Sequence, residues 1–324
     1  MRASQLILPV MRERSDMPLW AEGRTKIPPP RFVMSFGTPG DGPGEFHSPI
    51  GIAIDSHDEI YVTEFHTHRV QVFDTSGKQL RMFAVDGQPG GIAVDQEGHV
   101  YVAPLLGHRI DVFDREGKAL HSFGKQGSGD GEFQQPGGIA IAADGTVYVV
   151  DQANHRIQRF KPDGTFLGAW GKHGSAPGEF GGEGPAGSRL SGPHFAAFDA
   201  AGCLWTTEGA NLRVQKFDAN GKPLFAFSGA GDGPGCFGGR PADRTNPFEG
   251  PIGITIDHQG RVWVSSTNNR VQCFAQDGTF LTGIGDEGIE PGEFIIPHAL
   301  AFDSAGYLYV VDASNQRVQK FEVR

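Results

Sequence analysis

Cysteine is scarce in this chain. Three occur in 324 residues, Cys203, Cys236 and Cys273. The number is odd and no two form a C-x-x-C pair, so neither a disulfide framework nor a structural zinc site is expected, and single thiols suit a reducing compartment. Long apolar runs are missing too: nothing approaches the roughly 20 residues that a membrane-spanning helix needs. Near the N-terminus Leu6-Ile7-Leu8 is interrupted by Pro9 with no small-residue cleavage site after it. It does not read as a signal peptide, and a cytoplasmic protein with no membrane contact is the expectation. Positive charge is in deficit, 28 Lys and Arg against 38 Asp and Glu, a net charge of −10. Proteins that grip a phosphate backbone neutralise it with Lys and Arg, so nucleic acid is not the expected partner.

What is abundant points elsewhere. There are 48 glycines and 22 prolines, too many for a helical protein and without a collagen period. Apolar residues make up 38% of the chain, enough for a packed core. The length suits two ordinary domains or one large all-β domain.

Six segments open with proline and run into an apolar stretch: residues 49–55, 89–95, 136–142, 193–199, 251–257 and 297–303, about 40 to 58 residues apart. That is the period of a four-stranded propeller blade. After each start comes a turn, then in most repeats an aromatic-Val pair such as Tyr61-Val62, Tyr148-Val149 or Trp263-Val264, then a polar loop ending at Arg69, Arg109, Arg156, Arg213, Arg270 or Arg317. Apolar and polar residues then alternate, as in Arg156-Ile157-Gln158-Arg159-Phe160, the period of a half-buried strand. A glycine turn and a fourth strand complete the unit. The pattern resembles the NHL repeat family, best in Tyr148-Val149-Val150-Asp151 followed by Asn154-His155-Arg156-Ile157-Gln158, and the resemblance covers about 31–324. It implies an all-β, six-bladed β-propeller with four antiparallel strands per blade.

The sixth repeat stops at Arg324 after its third strand, and Phe32-Val33-Met34-Ser35-Phe36-Gly37 looks like the missing fourth. The N-terminal strand is therefore expected to complete the last blade. Closing the ring removes exposed sheet edges. Residues 1–30 form a tail, with Pro28-Pro29-Pro30 as a stiff lead-in; it is either disordered or packed on the propeller wall. The chain is expected to act as a monomer.

In a repeat protein the shared residues mostly serve packing. The arginines and the acids Glu64, Asp151, Glu208 and Asp312 recur at equivalent places and are expected to brace their blades by charge-assisted hydrogen bonds. Departures from the repeat are better guides to function. The linkers into blades four and five carry insertions, 181–192 and 238–250, on the face where the second-to-third-strand loops also emerge. Insertions on one face often mark a binding surface. Arg189, Arg240, Asp243, Arg244 and Glu249 in these loops are candidate ligand-binding residues, the arginines as bidentate forks for an anionic group; tolerated surface elaboration is the alternative.

Histidine is the second departure. After the opening proline the blades carry Ile50, Gly90, Gly137, His194, Ile252 and His298 in turn, at the top of the innermost strand and facing the channel mouth. Two imidazoles could converge on zinc or another divalent transition metal, or they could hydrogen-bond to neighbours. A partial resemblance to the peptide-amidating lyases enters here: these look like NHL propellers with Pro-His starts on three alternate blades, whose histidines hold zinc. His194 and His298 match two of those starts, but blade two has Pro89-Gly90, and the lyases' catalytic tyrosine has no counterpart. His47, two residues before Pro49, is a candidate third ligand, and His66 is on the same face. His68, His108 and His155, each before a blade arginine, are expected on the rim.

No G-x-S-x-G elbow occurs, the G-x-G strings lie in propeller linkers, and Asp41-Gly42 and its equivalents lack the spaced acids of a calcium loop. Two functions remain. One is a binding module that takes a protein or peptide on its loop-rich face; the other is a metal-dependent lyase or hydrolase acting on a small polar substrate at the channel mouth.

Overall fold

The computed structural model describes Ala21 and residues 23–182, 192–238 and 250–324. Their strands form six four-stranded antiparallel sheets arranged as the blades of a propeller. Blade one runs outward through Pro49–Ile54, Ile60–Glu64, Arg69–Phe73 and Gln79–Ala84. The innermost strands of the other blades are Pro89–Val94, Pro136–Ile141, Pro193–Phe198, Pro251–Ile256 and Pro297–Phe302. Each starts on its proline, which has no N–H to give to a ladder and so belongs at a strand's first residue.

The second and third strands are sandwiched between neighbouring blades, which is why they are rich in Val, Ile and aromatics; Ile60–Glu64 and Arg69–Phe73 are buried along their whole length. Outer strands face solvent on one side, and Gln79–Ala84 alternates accordingly. The core is a ring of six apolar clusters, one at each contact between adjacent blades. The linker phenylalanines Phe46, Phe133, Phe180, Phe237 and Phe294 are fully buried in it, and Val85 takes that place on the short path into blade two.

The fourth strand of blade six is Arg31–Phe36, paired antiparallel with Arg317–Glu322 from Arg31 opposite Glu322 to Phe36 opposite Val318. Just before it, the amides of Lys26 and Ile27 donate to the Leu281 carbonyl on the outer strand of blade five, and Ile27 packs against the cluster between blades five and six.

The repeated ion pairs stitch linkers to blades. Arg69, Arg156, Arg213 and Arg317 meet Glu64, Asp151, Glu208 and Asp312 at 2.5–2.8 Å, with each acid fully buried. The guanidinium then reaches the preceding linker, as where Arg156 donates to the Ser128, Gly129 and Glu132 carbonyls. Blades two and five have Pro104 and Ser266 at the acid's position. There Arg109 turns to Asp111 at 2.7 Å, and Arg270 donates to the Asp232 carbonyl.

Candidate functional site

The linkers and the second-to-third-strand loops lie on one face. Phe65 donates to the Ser48 carbonyl at 3.0 Å, Leu105 to Gln88 at 2.8 Å, Ala153 to Gln134 at 3.1 Å and Ser314 to Ile295 at 3.1 Å. On this face the channel opens into a cavity of about 220 Å³. All six residues that follow the opening prolines line it: Ile50, Gly90, Gly137, His194, Ile252 and His298. Loop residues Phe65, Leu105 and Gln152 complete the wall, with Ser48, Gly91 and Phe195.

Short contacts set the positions of both histidines. The strand holding His298 starts from Ile296, whose φ of 56° is an uncommon conformation for a β-branched residue. The Ile296 amide is held at 2.9 Å by the Asn269 side chain of blade five. From the same blade, Ser265 donates to the His298 carbonyl. His194 is buried at 7% exposure and lies two residues after Gly192, which abuts the Gln152 carbonyl so closely that a side chain there would overlap it. The His194 carbonyl rests over Gly138 of blade three.

His47 does not line the cavity. It is exposed on the rim, its Nδ1 3.1 Å from Asp41 and its ring 4.8 Å from that of His66. Among the described residues no three His, Cys, Asp or Glu side chains are grouped so as to hold a metal ion. A three-histidine zinc set would need a donor on blade two. Gly90 stands there, and a Cβ added to it would meet nothing nearer than the Ala103 carbonyl at 3.6 Å. The mouth therefore has room at that position but no ligand, and the residues present do not fit a three-histidine zinc.

Arg189, Arg240, Asp243, Arg244 and Glu249 lie outside the described residues. One end of each insertion meets the second-to-third-strand loop of blade four, Gly182 against Asn211 and Gly250 against Gly209, while the other ends meet the loops of the blades on either side, Gly192 against Gln152 and Gly238 against Asn268.

His155 departs from its expected place on the rim. It is 2% exposed, 4.8 Å from the His173 ring, and covered by Gly181. Burial, with His173 beside it, pushes its imidazole down to about 4. His68 is exposed, as expected of a rim residue, while the His108 Nδ1 accepts the Gln135 amide at 3.1 Å. Sequence reasoning passed over Phe65, Leu105 and Gln152. Each directly follows the position of the bracing acid, so aligning the repeats one residue further would have found them.

Comparison with known proteins agrees with this architecture. The NHL repeat family matches residues 46–73, 133–160 and 294–321. Human NHL repeat-containing protein 3 is 32% identical over 90 residues, 26% of this chain, and the match spans only 26% of that protein. A probable peptidyl-alpha-hydroxyglycine alpha-amidating lyase of Caenorhabditis elegans is 28% identical over 134 residues, 40% of this chain and 36% of its own. Among solved structures, a gluconolactonase of Xanthomonas campestris superposes with a TM-score of 0.63 at 16% identity, covering 92% of this chain and 96% of its own. A streptogramin B lyase superposes with a TM-score of 0.61 at 15% identity, covering 91% and 98%. At such identities the structures report the fold alone. The chain carries NHL repeats and folds as a six-bladed β-propeller whose last blade is completed by its own N-terminal strand.

Proposed function

We propose that this propeller is a binding module whose ligand, a protein, a peptide or a small polar molecule, enters the channel mouth on the loop-rich face. The observation that carries this reading is the cavity itself. All six blades contribute to it, and the residue after the opening proline differs among them, being Ile, Gly, Gly, His, Ile and His in turn. A concave, mostly apolar pocket with a few polar groups is the usual form of a ligand site, and the described ends of both insertions meet second-to-third-strand loops on the same face.

Ile252→Trp would place an indole in the mouth. A peptide and metabolite library screened by thermal shift should yield ligands that raise the melting temperature of the native chain, because binding to the folded state alone stabilises it. Those ligands should fail with Ile252→Trp. Ligands acting equally on both proteins would overturn the assignment of the mouth.

A second reading, metal-dependent lyase or hydrolase chemistry, draws on the two imidazoles lining one cavity and on the similarity to an amidating lyase. Elemental analysis of untagged protein checks it. One equivalent of zinc or another transition metal, lost in the His194→Ala/His298→Ala double variant, supports it; metal-free native protein from metal-replete medium removes it.

A further inference from the structure

The chemistry of the cavity narrows what can occupy it, and this step rests on the binding reading above. Size comes first. An apolar cavity of about 150 Å³ takes up benzene, whereas sites for drug-sized ligands run from about 300 to 1,000 Å³. At about 220 Å³ the mouth holds one ring with a substituent, and the rest of a larger ligand would lie outside it.

Charge comes second. Among the described residues no Asp, Glu, Lys or Arg lines the cavity. An ionised group buried without a partner is strongly disfavoured, so the occupant is neutral. Shape is the third constraint. Blades two and three present Gly90 and Gly137 where the other four blades present side chains; the Gln152 side chain lies over Gly137, so the open stretch of backbone is at Gly90, where an added Cβ would meet nothing nearer than 3.6 Å. Phe65 of blade one and Leu105 of blade two line the same cavity. A flat group can lie against bare peptide planes and meet the Phe65 ring in an edge or offset contact. Fourth, Gln152, His194 and His298 border the same space and can donate or accept hydrogen bonds.

We propose that the mouth binds a neutral aromatic ring bearing one hydrogen-bonding substituent, a phenol or indole group, seated over Gly90 of blade two with its polar atom toward the histidines and Gln152. The ring can arrive as a free small molecule or as a side chain of a peptide.

The probe is p-cresol, neutral at pH 7 because phenols ionise near pH 10. Titration is followed by calorimetry and by the imidazole proton signals of His194 and His298. We expect saturable binding at one site with both histidine signals shifting. Gly90→Leu, which fills this open stretch, should weaken binding at least about tenfold, a change of about 1.4 kcal/mol, while the melting temperature is kept. p-Toluate, of similar shape but charged, should bind at least about tenfold more weakly. Should Gly90→Leu not fold, the smaller Gly90→Ala replaces it, its Cβ clearing its neighbours by 3.6 Å. Non-saturable binding, p-toluate binding as tight as p-cresol, or full affinity in the folded Gly90 variant overturns the proposal.

A Tyr-containing tripeptide and its Ala counterpart separate the two sources. Competition with p-cresol by the Tyr peptide alone supports a peptide ligand; competition by neither supports a free aromatic molecule. Library ligands that are lost in Ile252→Trp but do not compete with p-cresol would overturn the aromatic assignment while keeping the mouth as a binding site. Finding no ligand that needs the mouth would remove the wider reading itself.

Discussion

Ser265 in blade five donates its hydroxyl to the backbone carbonyl of His298 in blade six, and the same oxygen accepts the Gly253 amide at 2.8 Å. Thr63 does the same between blades one and two, donating to the Gly90 carbonyl at 2.7 Å and accepting from Gly51, and Thr207 reaches the Ile252 carbonyl. These hydroxyls tie the residue after the opening proline to the blade before it. Ser265→Ala leaves a buried amide and a carbonyl without this partner. It should cost about 1–3 kcal/mol in urea unfolding and shift the imidazole signals of His298 more than those of His194. Ser265→Thr, the residue used in blades one and four, should restore both. Unchanged stability in the alanine variant would mean that the latch contributes nothing.

The buried His155 makes stability depend on pH. Its imidazole is held down to about 4 in the folded chain, against about 6.5 when exposed. The unfolded chain therefore binds more protons in between. His155 contributes its full stabilisation above about pH 6.5 and loses it as pH falls through about 4. His155→Asn keeps a residue suited to the left-handed conformation that His155 adopts at φ 55°; blade five already has Asn269 at the equivalent place. The variant should flatten the fall in unfolding free energy between about pH 6.5 and 4 by roughly 2 kcal/mol. Parallel curves for the two proteins would show that His155 is not the group responsible.

Much of this molecule could be read before any coordinates. The six prolines mark the six inner strands to the residue, because a residue without an N–H is confined to such positions. The moved fourth strand was legible because the last repeat ends one strand short. The mouth was half legible: the residue after each proline could be lined up by counting, but the loop residues Phe65, Leu105 and Gln152 share no residue type, and only the ring closure of the blades brings them to the same space. The burial of His155 was not legible. It depends on Gly181 folding back over the ring, a contact between a loop and the next blade's linker that no local period encodes.

The closing strand should behave as part of the core on one side only. Phe36 is 9% exposed, its ring centroid 4.9 Å from that of Phe73 in blade one, whereas Val33 on the outward side is 40% exposed. Phe36→Ala removes a large side chain from the contact between the last and first blades and should cost about 3–5 kcal/mol. Val33→Ala should stay within about 0.5 kcal/mol of the native chain. Chemical denaturation of the two variants measures both. Equal losses would mean that the strand does not seal the ring through its inner face.

Adjacent glycines at the mouth should respond with opposite sign. A Cβ on Gly91 would lie 2.2 Å from the Gly137 carbonyl of blade three, backbone that cannot step aside without parting the inner strands. A Cβ on Gly90 has its nearest neighbour at 3.6 Å, an ordinary contact. Neither residue has a positive φ, so the backbone itself accepts alanine at both. Gly91→Ala should therefore destabilise by about 1–3 kcal/mol through overpacking. Gly90→Ala should stabilise by about 0.4–1 kcal/mol, because alanine restricts the unfolded chain without straining the folded one. Melting temperatures of the pair decide the matter. If both fall together, the space above Gly90 is not open, and the mouth is narrower than the cavity on which the ligand assignment depends.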